Sequence, residues 1–297
     1  MQKLFVIVGI FLLLSGARPA AALDLTKTGD LRAVKFDELG FDPAGLMGWW
    51  RFEGNGLDGS GKGNHGTGYG GVAVGEAADR FGLSNRATTF DGVDDYVGIG
   101  NLGTLYSQGT IVFWMYPTAV QNYRNPFTTK YMGGNAAIRF EEALNGSFAV
   151  VIGNDAGSYN GHQYLSSGLL PDTWYHVVLT WDTVSSKAIG YLNGVEKFNA
   201  NHDPARWPTV MPNVIIGYGF NNLDRYWKGL VDEVRIFNRI LSGTEVLAMY
   251  DFEKESKFTI GKDGTIKAAG FIEDAALPVQ MRGKKDSLTV KGSLVEQ

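Results

Sequence analysis

Apolar and polar positions along this chain fall into short runs. Residues 46–52, 87–90, 96–99, 110–116, 137–140, 147–152, 174–181, 187–192, 213–218 and 229–238 are rich in Val, Ile, Phe, Tyr and Trp, and Gly/Asn/Asp clusters separate them. That pattern predicts β-strands joined by tight turns and paired antiparallel. Asn193-Gly194 supplies the two positive-φ residues of a type I′ turn between 189–192 and 195–198, which predicts a hairpin of fixed register. The one good helical candidate is 242–250, where Ser242 can cap the first turn and Glu245 stands three residues on, as in a capping box.

The two ends differ from this body. Lys3 precedes an apolar run from Leu4 to Leu14, and small residues follow it, with Ala20 and Ala22 spaced for cleavage. Residues 1–22 are read as a signal peptide, since a run of about 11 apolar residues falls short of the roughly 20 that span a bilayer. Residues 23–43 form a polar lead-in segment. Residues 251–297 carry scattered lysines and alternate around Lys262-Asp263-Gly264, which predicts a small β-hairpin appendage. Such a hairpin buries too little to stand alone, so it needs a surface to pack on or a partner chain.

Composition narrows the function classes. The net charge is −4, and loss of Lys3 and Arg18 with the signal peptide makes it more negative, which argues against nucleic acid. The absence of cysteine excludes disulfides, thiolate metal sites and a cysteine nucleophile. An exported fold without disulfides rests on its core.

Chemical motifs are few. Gly56-x4-Gly61-Lys62 imitates a phosphate loop, but Gly63 stands where Ser or Thr must hold magnesium. Residues 66–71 fit G-x-G-x-x-G without a helix to receive a pyrophosphate. His65, His162, His176 and His202 do not cluster in sequence. Glu141-Glu142 is the only adjacent glutamate pair, and strand neighbours face opposite ways, so the pair cannot serve the two carboxylate roles of a retaining glycosidase. No catalytic residues are assigned.

Seven motifs recur in order: 45–53 (GLMGWWRFE), 58–66 (DGSGKGNHG), 90–97 (FDGVDDYV), 110–117 (TIVFWMYP), 173–177 (TWYHV), 191–194 (YLNG) and 229–239 (GLVDEVRIFNR). Over residues 44–250 the chain is thereby similar to the LamG-like (laminin-G-like) jelly-roll domains of the concanavalin A-like lectin/glucanase superfamily. The resemblance implies an all-β, two-sheet antiparallel jelly-roll sandwich. It also implies carbohydrate binding, protein binding or adhesion on bacterial surfaces or secreted proteins. Family members often hold a structural calcium between the early turn and the final strand, which makes Asp58 and Asp232 the candidate side-chain ligands. The alternative for Asp58, as for Asp91, is an Asx-turn built on backbone N–H groups.

Sugars stack on aromatic faces, so loop aromatics are the candidate ligand-binding residues: Trp207, Tyr226, Trp227, Tyr123 and Tyr159. The sequence thus reads as a non-catalytic binding module, secreted, periplasmic or on the cell surface. Its partner is a glycan or an extracellular protein, and no transmembrane segment remains after signal removal. A structural or assembly role, with the sandwich as spacer and the tail making intermolecular contacts, is the competing reading. A glycoside hydrolase is the third.

Overall fold

The computed structural model describes residues 42–254, except 105, 121, 131–135, 144–145, 155, 160, 212 and 220–224. Beyond these it describes strand backbone at 257–260, 266–269, 280–284 and 287–291. The expected signal peptide and nearly all of the lead-in segment lie outside the described residues.

Two seven-stranded antiparallel sheets form the sandwich. The first runs β1 (Leu46–Trp50), β16 (Lys228–Phe237), β6 (Gln108–Pro117), β11 (Tyr175–Asp182), β12 (Lys187–Leu192) and β13 (Val195–Asn201), with β3 (Thr88–Asp91) also paired to β16. The second runs β10 (Gln163–Ser166), β9 (Phe148–Ile152), β8 (Ala136–Glu142), β7 (Arg124–Lys130), β15 (Asn213–Ile216), β4 (Tyr96–Gly100) and β2 (Thr67–Tyr69). A two-residue ladder joins β5 (Gly103–Thr104) to β14 (Val210–Met211).

Alternation places the core. Ile111, Phe113 and Met115 of β6 and Val177, Leu179 and Trp181 of β11 meet Ile138 and Phe140 of β8 and Phe148, Val150 and Ile152 of β9. Phe113 reaches across the sheets to Phe140, edge to face at 4.8 Å, and stacks 5.9 Å from Phe127 of β7. The first sheet is also covered on its other face, so β6 and β11 are buried almost throughout. There the helix α1 (Gly243–Glu253) brings Tyr250 over Trp114 and His176, each 5.9 Å away. His176 is fully buried, and burial, then Arg235 and Arg80, hold its imidazole well below the usual histidine range.

The local signals act as the sequence requires. Asn193 and Gly194 turn the β12–β13 hairpin at φ 51° and 75°. Ser242 Oγ accepts from Glu245 N at 3.2 Å while Glu245 Oε2 accepts from Ser242 N at 2.8 Å, a complete capping box. Besides the two-residue β5 and β14, the strands of the sandwich that lack a clear run in the sequence are β2, β7 and β10. The first and last are only three and four residues long, and Pro126 interrupts the second. The stretch that fits G-x-G-x-x-G contains β2 and the turn after it.

The C-terminal residues form a separate unit. In it β17 (Lys257–Ile260) pairs with β18 (Ile266–Ala269), and β19 (Gln280–Lys284) pairs with β20 (Ser287–Lys291). It thus holds two hairpins where the sequence points to one.

Candidate functional site

The second sheet turns one face to the core and one away from it, and β8 presents both chemistries in alternate positions. Ile138 and Phe140 enter the core, whereas Arg139 and Glu141 sit on the outward face opposite Val151 and Ala149 of β9. Glu141 is only 1% exposed, a costly place for a carboxylate unless it is paired. Its Oε1 lies 2.9 Å from His162 Nε2, Arg139 Nε donates to Oε2 at 3.3 Å, and Arg225 Nη1 donates to the same oxygen.

Aromatic rings wall this cluster at the surface. The Arg139 guanidinium lies 5.3 Å from the centre of the Tyr159 ring, and that of Arg225 lies 5.0 Å from Tyr123. His162 stacks 6.0 Å from Tyr164 on β10. Tyr123, Tyr159 and Tyr164 are exposed. Arg206 Nη1 donates to the Tyr159 carbonyl, and Asn154 Nδ2 donates to the Ala205 carbonyl at 3.0 Å. These bonds tie Asn154 and Tyr159 to the short 3-10 turn Pro204–Arg206. Burial lowers the Arg139 guanidinium from its usual range, Glu141 opposes that shift, and Arg225 adds to it.

A row of tyrosines runs across the strands of the same sheet. Tyr226 stacks on Tyr218 at 4.3 Å, Tyr218 lies 5.7 Å from Tyr96 on β4, and Tyr96 stacks on Tyr69 of β2 at 4.7 Å with planes 10° apart. Rings that stack on one another leave their edges and hydroxyls for a ligand. Tyr69, 46% exposed, ends the row at the sheet edge. Two glycines permit this end. A Cβ on Gly98 would come 3.1 Å from the Tyr69 ring, and at Gly70 (φ +75°) it would fall 2.1 Å from the Asp94 carbonyl oxygen.

The turn that Gly70 packs against carries Asp91, Asp94 and Asp95, whose carboxylate oxygens lie within 4.8 Å of one another. Asp95 accepts from Asp91 N at 3.1 Å, and its carboxyl is raised above the usual range by burial and then by Asp91 and Asp94, against that bond.

The family model of the concanavalin A-like lectin/glucanases superfamily, of laminin-G type, matches residues 91–247. The chain belongs to this superfamily. Among solved structures it is similar to domain 4 of an extracellular GH43 arabinanase from Geobacillus stearothermophilus, solved with arabinotriose. That match has 19% identity and a TM-score of 0.56, over 69% of this chain and 98% of that one. It is also similar to the binding domain of botulinum neurotoxin serotype D (13% identity, TM-score 0.57, 84% of this chain, 63% of that one). A third is the binding domain of Paraclostridial Mosquitocidal Protein 1 (14% identity, TM-score 0.56, 70% of this chain). This chain spans 52% of that last domain. No curated protein matches the sequence.

The five loop aromatics separate into two groups. Tyr123 and Tyr159 each lie beside a guanidinium of the Glu141 cluster, and Tyr226 stacks on Tyr218 in the tyrosine row. Trp207 and Trp227 join neither, and their expected role is corrected. Trp227 is fully buried in the core, and Trp207 is 8% exposed with its ring 4.4 Å from that of His202. Both stand in loops whose backbone turns the indole inward, where its large apolar area is worth most.

Asp58 and Asp232 both have hydrogen-bond partners within the fold. Asp58 Oδ1 accepts from Trp49 N and Ser60 N, both at 2.9 Å, and Oδ2 accepts from Asn64 N at 3.0 Å. These bonds brace the early turn. Asp232 Oδ2 accepts from Arg80 Nη1 at 2.8 Å. Both oxygens of Asp58 are thus engaged by backbone donors, whereas Asp232 Oδ1 is buried without a hydrogen-bond partner among the described residues.

Tyr69, Tyr96, Tyr218, Arg139, Glu141 and His162 are absent from the candidate ligand-binding residues of the sequence. For Arg139 and Glu141 a signal exists. They share a parity opposite to Ile138 and Phe140, so they mark a polar face on a strand whose other face is apolar.

Proposed function

We propose that this protein is an exported, non-catalytic carbohydrate-binding module that takes a glycan chain along the outward face of its second sheet. The observation that carries the reading is the tyrosine row Tyr69–Tyr96–Tyr218–Tyr226. Tyrosines supply apolar edges and hydroxyls together, and charged groups beside them give directed hydrogen bonds, the combination that a polyhydroxylated ligand needs. The row crosses strands rather than closing into a pocket, which suits a chain over a single sugar.

The related structures support this reading in kind. The arabinanase domain was solved with arabinotriose, and botulinum neurotoxin type C depends on interaction with two ganglioside molecules to enter cells. No helix among the described residues is long and apolar enough to cross a membrane. The carboxylates suit binding better than hydrolysis. Glu141 is engaged by three cationic or imidazole partners, and Glu142, its strand neighbour, faces the other way, whereas a retaining pair sits about 5–5.5 Å apart across one substrate.

The test is affinity electrophoresis of the purified chain through gels containing arabinan, galactan, β-glucan or polygalacturonate. Retardation by at least one polysaccharide, lost in Tyr69→Ala and Tyr96→Ala, supports the reading, and free migration in all of them overturns it.

Assembly through the C-terminal unit is the second reading. It is favoured by the two separate hairpins at 257–291, since a two-stranded hairpin is marginal by itself and needs a further surface. Light scattering of the full chain checks it. A stable oligomer supports it, and a monomer at all concentrations removes it.

A further inference from the structure

We propose that the helix α1 is an acid-released latch, in which protonation of His176 lifts the helix from the first sheet and frees the chain where it leaves the sandwich. The inference is independent of the glycan reading.

His176 stands on the outward face of β11 opposite Trp114 of β6, and its main-chain N–H donates to Asn193 Oδ1 at 2.9 Å. Its ring lies 5.0 Å from that of Trp114 and 5.9 Å from that of Tyr250, between one aromatic side chain of the sheet and one of the helix. It is fully buried, and among the described residues neither Nδ1 nor Nε2 has a hydrogen-bond partner. A buried polar group in this state is costly while neutral and costlier when charged. The charges that act on it are Arg235 of β16 and Arg80 of the loop before β3, both cations. On the same face Asp232 stands across Trp114, one strand further on, where its Oδ2 accepts from Arg80 at 2.8 Å. From α1 come Tyr250 and the buried Glu253, and from β12 comes Tyr191, whose hydroxyl burial and then Glu196 hold above the usual tyrosine range. An imidazolium in this site brings a third cation beside two guanidiniums.

The helix can yield by itself. It takes no part in the sheet ladders, and it closes the sandwich at its C-terminal end. Its hold is side-chain packing: Val246 and Met249 are buried beneath it, and Arg235 Nη1 reaches Met249 Sδ at 3.9 Å. Gly194 (φ +75°) makes room for it, since a Cβ there would fall 2.9 Å from the Tyr250 ring and 3.0 Å from Leu247. Lifting it therefore uncovers His176 without breaking a strand pair, the kind of opening that costs less than global unfolding. In the open form water reaches the imidazole and its proton affinity returns to the ordinary value near 6.5. The open form then gains up to about tenfold on the closed one for each pH unit below that. Asp232, raised by burial, titrates in the reverse sense, and a variant without the histidine separates the two.

Hydrogen exchange of the full chain, read by mass spectrometry at about pH 7 and about pH 5 and corrected for the intrinsic exchange rate, tests the latch. Peptides covering α1 should lose protection by at least about tenfold at the lower pH, while those covering β6 and β11 keep theirs. His176→Phe, an aromatic side chain that does not titrate, should hold α1 equally closed at both. Unchanged protection of α1 in the parent overturns the inference. So does a parallel loss in α1 and the sheets, which reports global opening, or an equal acid-induced loss in His176→Phe. Should that variant not fold, the two profiles of the parent decide.

Discussion

Tyr69 and Tyr96 sit on neighbouring strands with ring centroids 4.7 Å apart and planes 10° apart, at the exposed edge of the second sheet. Neither ring is needed to fill the core. Their stacking is worth only about 0.5–1.5 kcal/mol beyond burial, yet it stiffens the outer end of the aromatic row. Tyr69→Ala should lower the melting temperature by no more than a few degrees and weaken polysaccharide binding at least fivefold. Calorimetric unfolding and titration on the same sample check both parts.

Glu141 makes a different prediction, because it is buried. Glu141→Ala leaves Arg139 and Arg225 facing each other without their shared carboxylate. Breaking a buried pair by removing one partner costs about 3–5 kcal/mol. Chemical denaturation should register a loss in that range, and Glu141→Gln, which keeps an acceptor oxygen, should lose less.

Asp58 tests the early turn. Its carboxylate accepts three backbone N–H bonds from Trp49, Ser60 and Asn64. Removing it strands the buried Trp49 N–H, at roughly 1–3 kcal/mol before relaxation, and two part-buried donors at less. Asp58→Ala should therefore destabilise the protein by at least about 2 kcal/mol, measured by urea unfolding. Asp58→Asn, with one acceptor oxygen in place of two, should fall between that variant and the parent.

His176 gives the pH dependence its sign. Burial, Arg235 and Arg80 keep its folded-state pKa well below 6.5, so the unfolded chain takes up a proton that the folded chain refuses. Stability is unaffected by this group at higher pH and falls as pH drops through about 6.5, by at most about 1.4 kcal/mol per pH unit. Asp232 works in the opposite sense. Burial, with Glu233 and Asp79 and against Arg80, raises its carboxyl well above the usual range, so the folded state is favoured by protonation and that contribution is lost as pH rises through the raised value. Urea unfolding of the parent and of His176→Phe between about pH 5 and 8 separates the two. The difference between the proteins should carry the histidine slope, and a pH-independent difference would contradict this assignment.

Much of the sandwich is legible in the sequence because its signals are local. The apolar runs of β6 and β11, the alternation in β8, the Asn193-Gly194 turn and the Ser242–Glu245 box each depend on residues a few places apart. The outward face cannot be read in the same way. Tyr69, Tyr96, Tyr218 and Tyr226 are brought together by strand order, since β2 pairs with β4 and β4 with β15, and no spacing along the chain announces that. Trp207 and Trp227 expose the converse difficulty. A loop position says little about the direction of a side chain, and a core short of volume draws a nearby indole inward. Glu141 and Arg139 are within reach through their parity on β8, but Arg225 and His162 come from distant segments and meet them only in the folded sheet.

The measurement closest to the central claim is polysaccharide retention by the parent chain beside the Tyr69→Ala/Tyr96→Ala double variant, in gels of arabinan, galactan, β-glucan and polygalacturonate, with folding checked by circular dichroism. The parent should be retarded by at least one of these polymers and the folded double variant by none. Equal retardation of both would show that the glycan does not lie along the tyrosine face, and no retardation of the parent would remove the carbohydrate-binding reading itself.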